Sequence, residues 1–341
     1  MTMKALFIAE PGKTELREVP LPRPAADELL LRVRRVGYCG SDLNTFRGRN
    51  PMVTLPRIPG HEVAATIEQT GPDVPSTFEA GMDVTLSPYT NCGTCSSCRA
   101  GRPNACRDNL TLGVQRDGAM QEHLTVPWQK ACPAKCLSLE ELALVEPLSV
   151  GFHAAARGSV TRDDSVAVLG CGAIGLGAVA GAAFAGATVI AVDIDPAKLD
   201  TARRAGAEHV VDPNSEVLHE ALTRIAPDGP NVVIEAIGLP ATYRAAVEEV
   251  AFAGRVVYVG YAREPVAYET KLFVQKELDI RGSRNALDEF ASVVAMLQQG
   301  QFPVDGMISR VVPLAQAGEA LAQWDADPAA VTRILVSFDE P

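Results

Sequence analysis

Eight cysteines and five histidines hold most of the chemistry open to this chain, and spacing sorts them into groups. Cys92, Cys95, Cys98 and Cys106 form a CxxCxxCx7C run. Four thiolates fill a tetrahedral zinc shell and leave no position for substrate, so this run predicts a structural zinc. Its spacing differs from the ferredoxin runs, which argues against an iron–sulfur cluster. A bound zinc would order a polar lobe, about residues 88–110, that has little apolar core of its own.

Cys39 stands apart, in Gly37-Tyr-Cys39-Gly-Ser41-Asp42, and Gly60-His61-Glu62 follows it. Glu146 comes much later, in Val145-Glu146-Pro-Leu-Ser-Val-Gly-Phe-His153. Singly, each is ordinary, since an isolated histidine is more often a satisfied core residue than a ligand. Together they offer one thiolate, one imidazole and two carboxylates. Three protein ligands with a fourth position open to water or substrate is the donor set of a catalytic zinc. Cys132 and Cys136 are expected to be reduced structural thiols, and Cys171 a small filler residue in a glycine turn.

That turn is the third feature. Gly170-Cys-Gly172-Ala173-Ile174-Gly175 follows a strand-like run and opens a helix-like one. The first glycine permits the tight turn, the second lets backbone approach a pyrophosphate, and the third allows close helix–strand packing. Asp193 ends the next apolar run, where a carboxylate accepts hydrogen bonds from ribose hydroxyls and repels a 2′-phosphate. NAD is therefore expected over NADP. Ile237, just past one later strand candidate, and Val259, at the end of another, are assigned to the same cofactor site. Asp195, before Pro196, is the better candidate to cap the following helix.

These groups need two different scaffolds. The 341 residues favour two domains. Up to about residue 147 the chain reads as short strands broken by Gly and Pro, a β-rich body with alternation in Leu29–Val36 and Glu62–Ile67. From Ser165 onward strands alternate with helices, the signature of a doubly wound parallel sheet. The expected strands are Ser165–Leu169, Thr188–Val192, His209–Val211, Val232–Glu235, Arg255–Val259 and Leu278–Ile280. Helices are expected at Ala173–Gly186, Pro196–Ala205 and Leu287–Gln299, the last starting a tail that rejoins the first domain. The domains are thus drawn as 1–147 with 285–341, and 148–284.

Bulk properties exclude several classes. A net charge of −11 with no basic patch argues against a nucleic-acid partner. The N-terminus lacks the layout of a secretion signal. The uncharged stretch Val166–Val192 is rich in Gly and Ala and flanked by aspartates, so it reads as strand, turn, helix and strand rather than a membrane span. A cytoplasmic location is expected.

The motifs Cys39-Gly-Ser-Asp42, Gly60-His-Glu62, the cysteine run, Glu146-Pro-Leu-Ser-Val-Gly151 and the Gly170-to-Asp193 fingerprint occur in order along the whole chain. By them it resembles the zinc-containing medium-chain dehydrogenases of the alcohol dehydrogenase superfamily, most of all the sorbitol, threonine and L-galactonate 5-dehydrogenase group. The resemblance implies a GroES-like catalytic domain joined to a Rossmann domain, two zinc ions and NAD. It also implies a homo-oligomer, tetramer or dimer. Cys39, His61 and Glu62 would be catalytic ligands, Glu146 a direct or water-linked one, and Ser41 the first link of a proton relay. The implied reaction is oxidation of a secondary alcohol, with a polyol or sugar acid as small-molecule substrate and Arg284 and Asn285 facing it. Asn44 stands where threonine dehydrogenases resemble one another in keeping histidine, which counts against that substrate. A simple secondary-alcohol dehydrogenase and a non-catalytic NAD-binding regulator are the alternatives.

Overall fold

The computed structural model describes residues 1–339 and divides the chain into two compact units. One comprises Met1–Glu146 together with the segment from Met307 onward; the other is Pro147–Gly306.

The first unit is built on a seven-stranded sheet. Its path runs Arg310–Pro313, Ile334–Ser337, Glu28–Gly37, Glu62–Thr70, Asp83–Leu86 and Ala131–Pro133, and His123–Pro127 also pairs with Glu28–Gly37. Alternation explains the central strands: Leu29, Leu31 and Val33 turn into the core and meet Val63, Ala65 and Ile67 there. Two consequences matter for chemistry. Gly37 lies opposite Glu62, and a Cβ at Gly37 would sit 2.2 Å from Glu62 Oε2, so only glycine leaves room for that carboxylate. The C-terminal strand pairs Leu335 with Gly37, which carries the adjoining Arg333 to the same place.

The second unit holds a six-stranded parallel sheet in the order His209–Val211, Thr188–Val192, Ser165–Leu169, Val232–Glu235, Arg255–Tyr258 and Asp279–Gly282. In chain order this is 3-2-1-4-5-6, the doubly wound arrangement with its reversal between Ser165–Leu169 and Val232–Glu235. Val166, Ala167, Val168 and Leu169 are all buried, as strands covered on both faces must be. The small-residue helix Ala173–Phe184 packs tightly on the helix Leu139–Arg157: a Cβ at Gly151 would lie 2.2 Å from the Ala178 nitrogen, and one at Gly177 2.8 Å from the Leu148 oxygen. Close packing thus accounts for the glycines and alanines of that stretch. Among the described residues no helix is long and apolar enough to cross a membrane.

Strand positions agree with the expectations to within a residue or two, but the tail differs. The helix expected at Leu287–Gln299 spans only Phe290–Leu297, because the Glu289 carboxylate accepts the Leu287 amide at 2.6 Å and pairs with His153 Nδ1 at 2.7 Å. This helix lies in the second unit, not the first, and that unit runs on to Gly306 rather than stopping at 284. Its apolar Phe290, Val293, Met296 and Leu297 are buried, and Arg204 pairs with Asp305 at the segment's end.

Candidate active site

Cys39 occupies the N-cap position of the helix Gly40–Phe46, and Asp42 one turn in is almost fully buried. One Asp42 oxygen accepts the Cys39 amide at 2.8 Å and the other the Gly60 amide at 3.1 Å, which clamps the Cys39 turn to the residue before His61. The result brings the ligand atoms of Cys39, His61 and Glu62 within 4.8 Å of one another. Burial pushes the Cys39 thiol up, but the charged His61 ring beside it and their hydrogen bond outweigh this and leave it below the usual thiol range. His61 is the mirror image. Burial opposes its proton, yet the Cys39 thiolate, with Asp42 and Glu146, raises it to about 10.

The rest of the shell is charged and buried. Arg333 donates to Glu62 Oε2, while Glu62 Oε1, His61 Nδ1 and Ser41 Oγ are buried without a hydrogen-bond partner among the described residues. Such orphaned polar atoms are costly unless something else meets them. A cation set between sulfur, nitrogen and carboxylate oxygen would do so, and the donor set suits zinc. Burial raises the Glu146 carboxyl above its usual range, against the pull of His61, and the Tyr89 hydroxyl donates to it.

The cysteine lobe is of another kind. Its sulfurs lie 3.5 Å apart for Cys95–Cys98 and Cys92–Cys106, and 3.8 Å for Cys95–Cys106. Zinc–sulfur bonds of about 2.3 Å in a tetrahedron require edges of roughly 3.8 Å, so the four thiols fit that ion. Backbone amides of Cys92 and Asp108 donate to Cys106 Sγ, and that of Cys95 to Cys92 Sγ, each at 3.3 Å. The Ser97 hydroxyl brings Cys95 down to about 5, whereas desolvation and its sulfur neighbours push Cys98 up to about 11.

In the second unit Gly170 takes the left-handed conformation (φ 96°), and Gly175 packs so closely on the Gly170 oxygen that no Cβ fits. Gly172, the N-cap of Ala173–Phe184, faces open space. Backbone N–H groups at that helix start, with room above them, form a cradle suited to a pyrophosphate. Asp193 accepts the Cys171 amide at 2.7 Å and the Asp195 amide at 3.0 Å, which ties the glycine turn to the next strand end. Asp195 caps its helix as expected, accepting the Ala197 amide at 2.9 Å. Ile237 is exposed beyond Val232–Glu235, Val259 follows Arg255–Tyr258, and Arg284 and Asn285 lie just past Asp279–Gly282. Asn285 adopts a left-handed backbone (φ 55°).

Three residues of this site escaped the sequence reading. Asp42 stood in a quoted motif without a role, although its spacing to Cys39 is that of a capping box. Tyr89 and Arg333 carry no local signal at all; only strand pairing brings Arg333 to Glu62.

Comparison with known proteins agrees with this architecture. The alcohol dehydrogenase GroES-like domain family matches residues 25–136, and the zinc-binding dehydrogenase family residues 173–299. An uncharacterized zinc-type alcohol dehydrogenase-like protein of Haemophilus influenzae is 31% identical over 98% of this chain and 99% of its own. The L-galactonate-5-dehydrogenase of Escherichia coli K12 is 31% identical over 93% of this chain and 94% of its own. A candidate zinc-binding dehydrogenase from Sinorhizobium meliloti 1021, crystallised with NADP, has a TM-score of 0.91 at 31% identity, covering 99% of both chains. The chain belongs to the zinc-binding, medium-chain alcohol dehydrogenase family. It is an oxidoreductase of the alcohol dehydrogenase type, with a GroES-like domain and a Rossmann-type parallel sheet.

Proposed function

We propose that the chain is a zinc-dependent, NAD-linked dehydrogenase that oxidises a secondary alcohol of a polyol or sugar acid to the ketone. The observation that carries this reading is the Cys39–His61–Glu62 group, half-buried at Cys39 and buried at His61 and Glu62, whose ligand atoms converge within 4.8 Å while Glu62 Oε1 and Ser41 Oγ stay unpartnered. Cys39, His61 and Glu62 would hold a catalytic zinc, with Glu146 a nearby further carboxylate. Cys92, Cys95, Cys98 and Cys106 would hold a structural one. When bound, zinc supplies a Lewis acid for the alcohol oxygen and NAD supplies a hydride acceptor.

The chain's own residues do the rest. Arg333 fixes one Glu62 oxygen and leaves the other free to serve as a donor. Tyr89 orients the Glu146 carboxyl. Ser41 Oγ, a hydroxyl that can both accept and donate, receives the substrate proton and passes it outward. Asp193 has one backbone amide on each oxygen and lone pairs remaining, so it can accept ribose hydroxyls while its charge repels a 2′-phosphate. That supports NAD here, although the Sinorhizobium relative was crystallised with NADP. The resemblance to L-galactonate-5-dehydrogenase and the guanidinium of Arg284, suited to a carboxylate, support the sugar-acid class.

The test is NADH formation by the zinc-loaded protein with polyols, aldonates, threonine and simple secondary alcohols. A preference for a polyol or aldonate, lost in Cys39→Ser, is expected. Turnover confined to simple alcohols would sink the substrate class, and none with any of them would sink the reading.

A further inference from the structure

Glu235 is the last residue of Val232–Glu235, which lies next to Ser165–Leu169 where the chain order of the sheet reverses. In doubly wound sheets ligands bind outside the carboxyl ends of the strands at that reversal. The residue is fully buried. Its Oε1 accepts three hydrogen bonds, from the Ile237 amide at 3.0 Å, the Gly238 amide at 2.7 Å and Thr242 Oγ1 at 2.7 Å. Its backbone oxygen accepts the Val259 and Gly260 amides, so one residue ties together the loops beyond two neighbouring strands. These loops reach the glycine turn, since a Cβ at Gly170 would lie 2.5 Å from Ile237 Cγ1.

The other oxygen is what sets Glu235 apart. Oε2 has no hydrogen-bond partner and points at Gly260, where a Cβ would sit 2.8 Å away. Among the described residues no cation forms an ion pair with it, and the donors on Oε1 are all neutral. Buttressing a loop needs only an acceptor, which an amide oxygen supplies as well. A carboxylate adds a charge, and in a buried setting that charge is weakly screened.

We propose that Glu235 biases the crevice at the sheet's carboxyl edge toward the oxidised dinucleotide, whose nicotinamide ring is cationic, over the reduced one, whose ring is neutral. The inference rests on the NAD-linked reading above. The pyrophosphate and ribose charges are the same in both forms, so loop geometry acts on both affinities alike. A charge at Glu235 acts differently on a cationic and a neutral ring, so removing it changes one affinity relative to the other. It is a positioning residue with an electrostatic output, in keeping with an enzyme that draws NAD in its oxidised form.

The measurement is the dissociation constant of NAD+ and of NADH, by titration calorimetry, for zinc-loaded wild type, Glu235→Gln and Glu235→Asp. In Glu235→Gln the ratio of the NAD+ constant to the NADH constant should rise about tenfold, which is about 1.4 kcal/mol and well within what one unit charge exerts at an effective dielectric of about 20. In Glu235→Asp, which keeps the charge but shortens its reach, both affinities should weaken with their ratio unchanged. Equal weakening of both ligands in Glu235→Gln would reduce Glu235 to a loop brace and overturn the inference. Should Glu235→Gln not fold, Glu235→Asn measured against Glu235→Asp decides: the two have the same shape and differ in charge, so an equal ratio in both would overturn the inference. Wild-type protein that bound neither dinucleotide would bring down the NAD-linked reading itself, and this inference with it.

Discussion

Around Cys92 the candidate ligands range from the exposed Cys92 to the buried Cys106 and backbone amides attend to them, whereas around the half-buried Cys39 the partners His61 and Glu62 are buried and charged side chains attend to them. The lobe has four like ligands, and a tetrahedral ion would leave none of its positions open. The Cys39 group mixes sulfur, nitrogen and oxygen, and Asp42, Glu146 and Arg333 crowd round it out of water. Burying so many charges costs stability unless each is paired, and several atoms there are not. A closed, like-ligand set holds a loop in place. An open, mixed and strongly perturbed set is where reactivity is found.

The largest expected effect separates the two directly. Cys39→Ser should slow NADH formation by on the order of 1,000-fold, the loss expected when a Lewis acid worth several kcal/mol is removed. The lobe should resist protease in that variant to the same degree as in the wild type, when the two are digested side by side. Cys95→Ser should open the Cys92–Cys106 segment to limited proteolysis and lower the zinc content by one ion per chain. Full loss of turnover in Cys95→Ser, with the lobe still protease-resistant, would erase the division of labour.

Next in size is Arg333→Met, which strands Glu62 as a buried charge without its partner. It should destabilise the protein by about 3–5 kcal/mol in urea unfolding, followed by loss of native fluorescence. No lobe residue is expected to have an effect of that kind, because its sulfurs have neutral partners. A loss well under 1 kcal/mol for Arg333→Met would show that the pair is not held as drawn.

The smallest effect is on the pH dependence of zinc uptake. Burial works against the His61 proton, but Cys39 and Asp42 hold it until about pH 10 in the metal-free protein. Zinc must displace this proton, so affinity at the Cys39 site should climb about tenfold per pH unit below that value. Once His61 has lost its proton above it, the slope should flatten. Competition with a chromophoric chelator at several pH values reads the slope, and a flat profile at neutral pH would mean that His61 is already unprotonated there.

Much of this was legible before any coordinates. The central strands of the parallel sheet, Ser165–Leu169, Thr188–Val192 and Val232–Glu235, announced themselves as short apolar runs, since strands covered on both faces have no polar side to show; the edge strand Asp279–Gly282 is largely exposed and gives a weaker signal. The ligand candidates were legible because metal chemistry restricts residue types and local spacing so severely. The tail does rejoin the first unit, but only from Met307 on; the point of return was misread because the apolar spacing of Leu287–Gln299 says that a helix exists, not which core it joins or that Glu289 shortens it.

What the order of residues determined by itself, then, is everything held by neighbours along the chain: the cysteine run, the glycine turn, the Asp195 cap and the sheet's strands. Only the tertiary structure decided what meets across the chain. Glu62 and Arg333 are far apart in sequence, as are Tyr89 and Glu146, and each pair is brought together by strand register or helix placement. Glu235 shows the same limit, for nothing in Val232-Val-Ile-Glu235 tells that one carboxylate oxygen is triply bonded and the other bare. Local patterns follow from backbone geometry and short-range spacing, while the burial and partnering of a charge depend on the whole fold that excludes water from it.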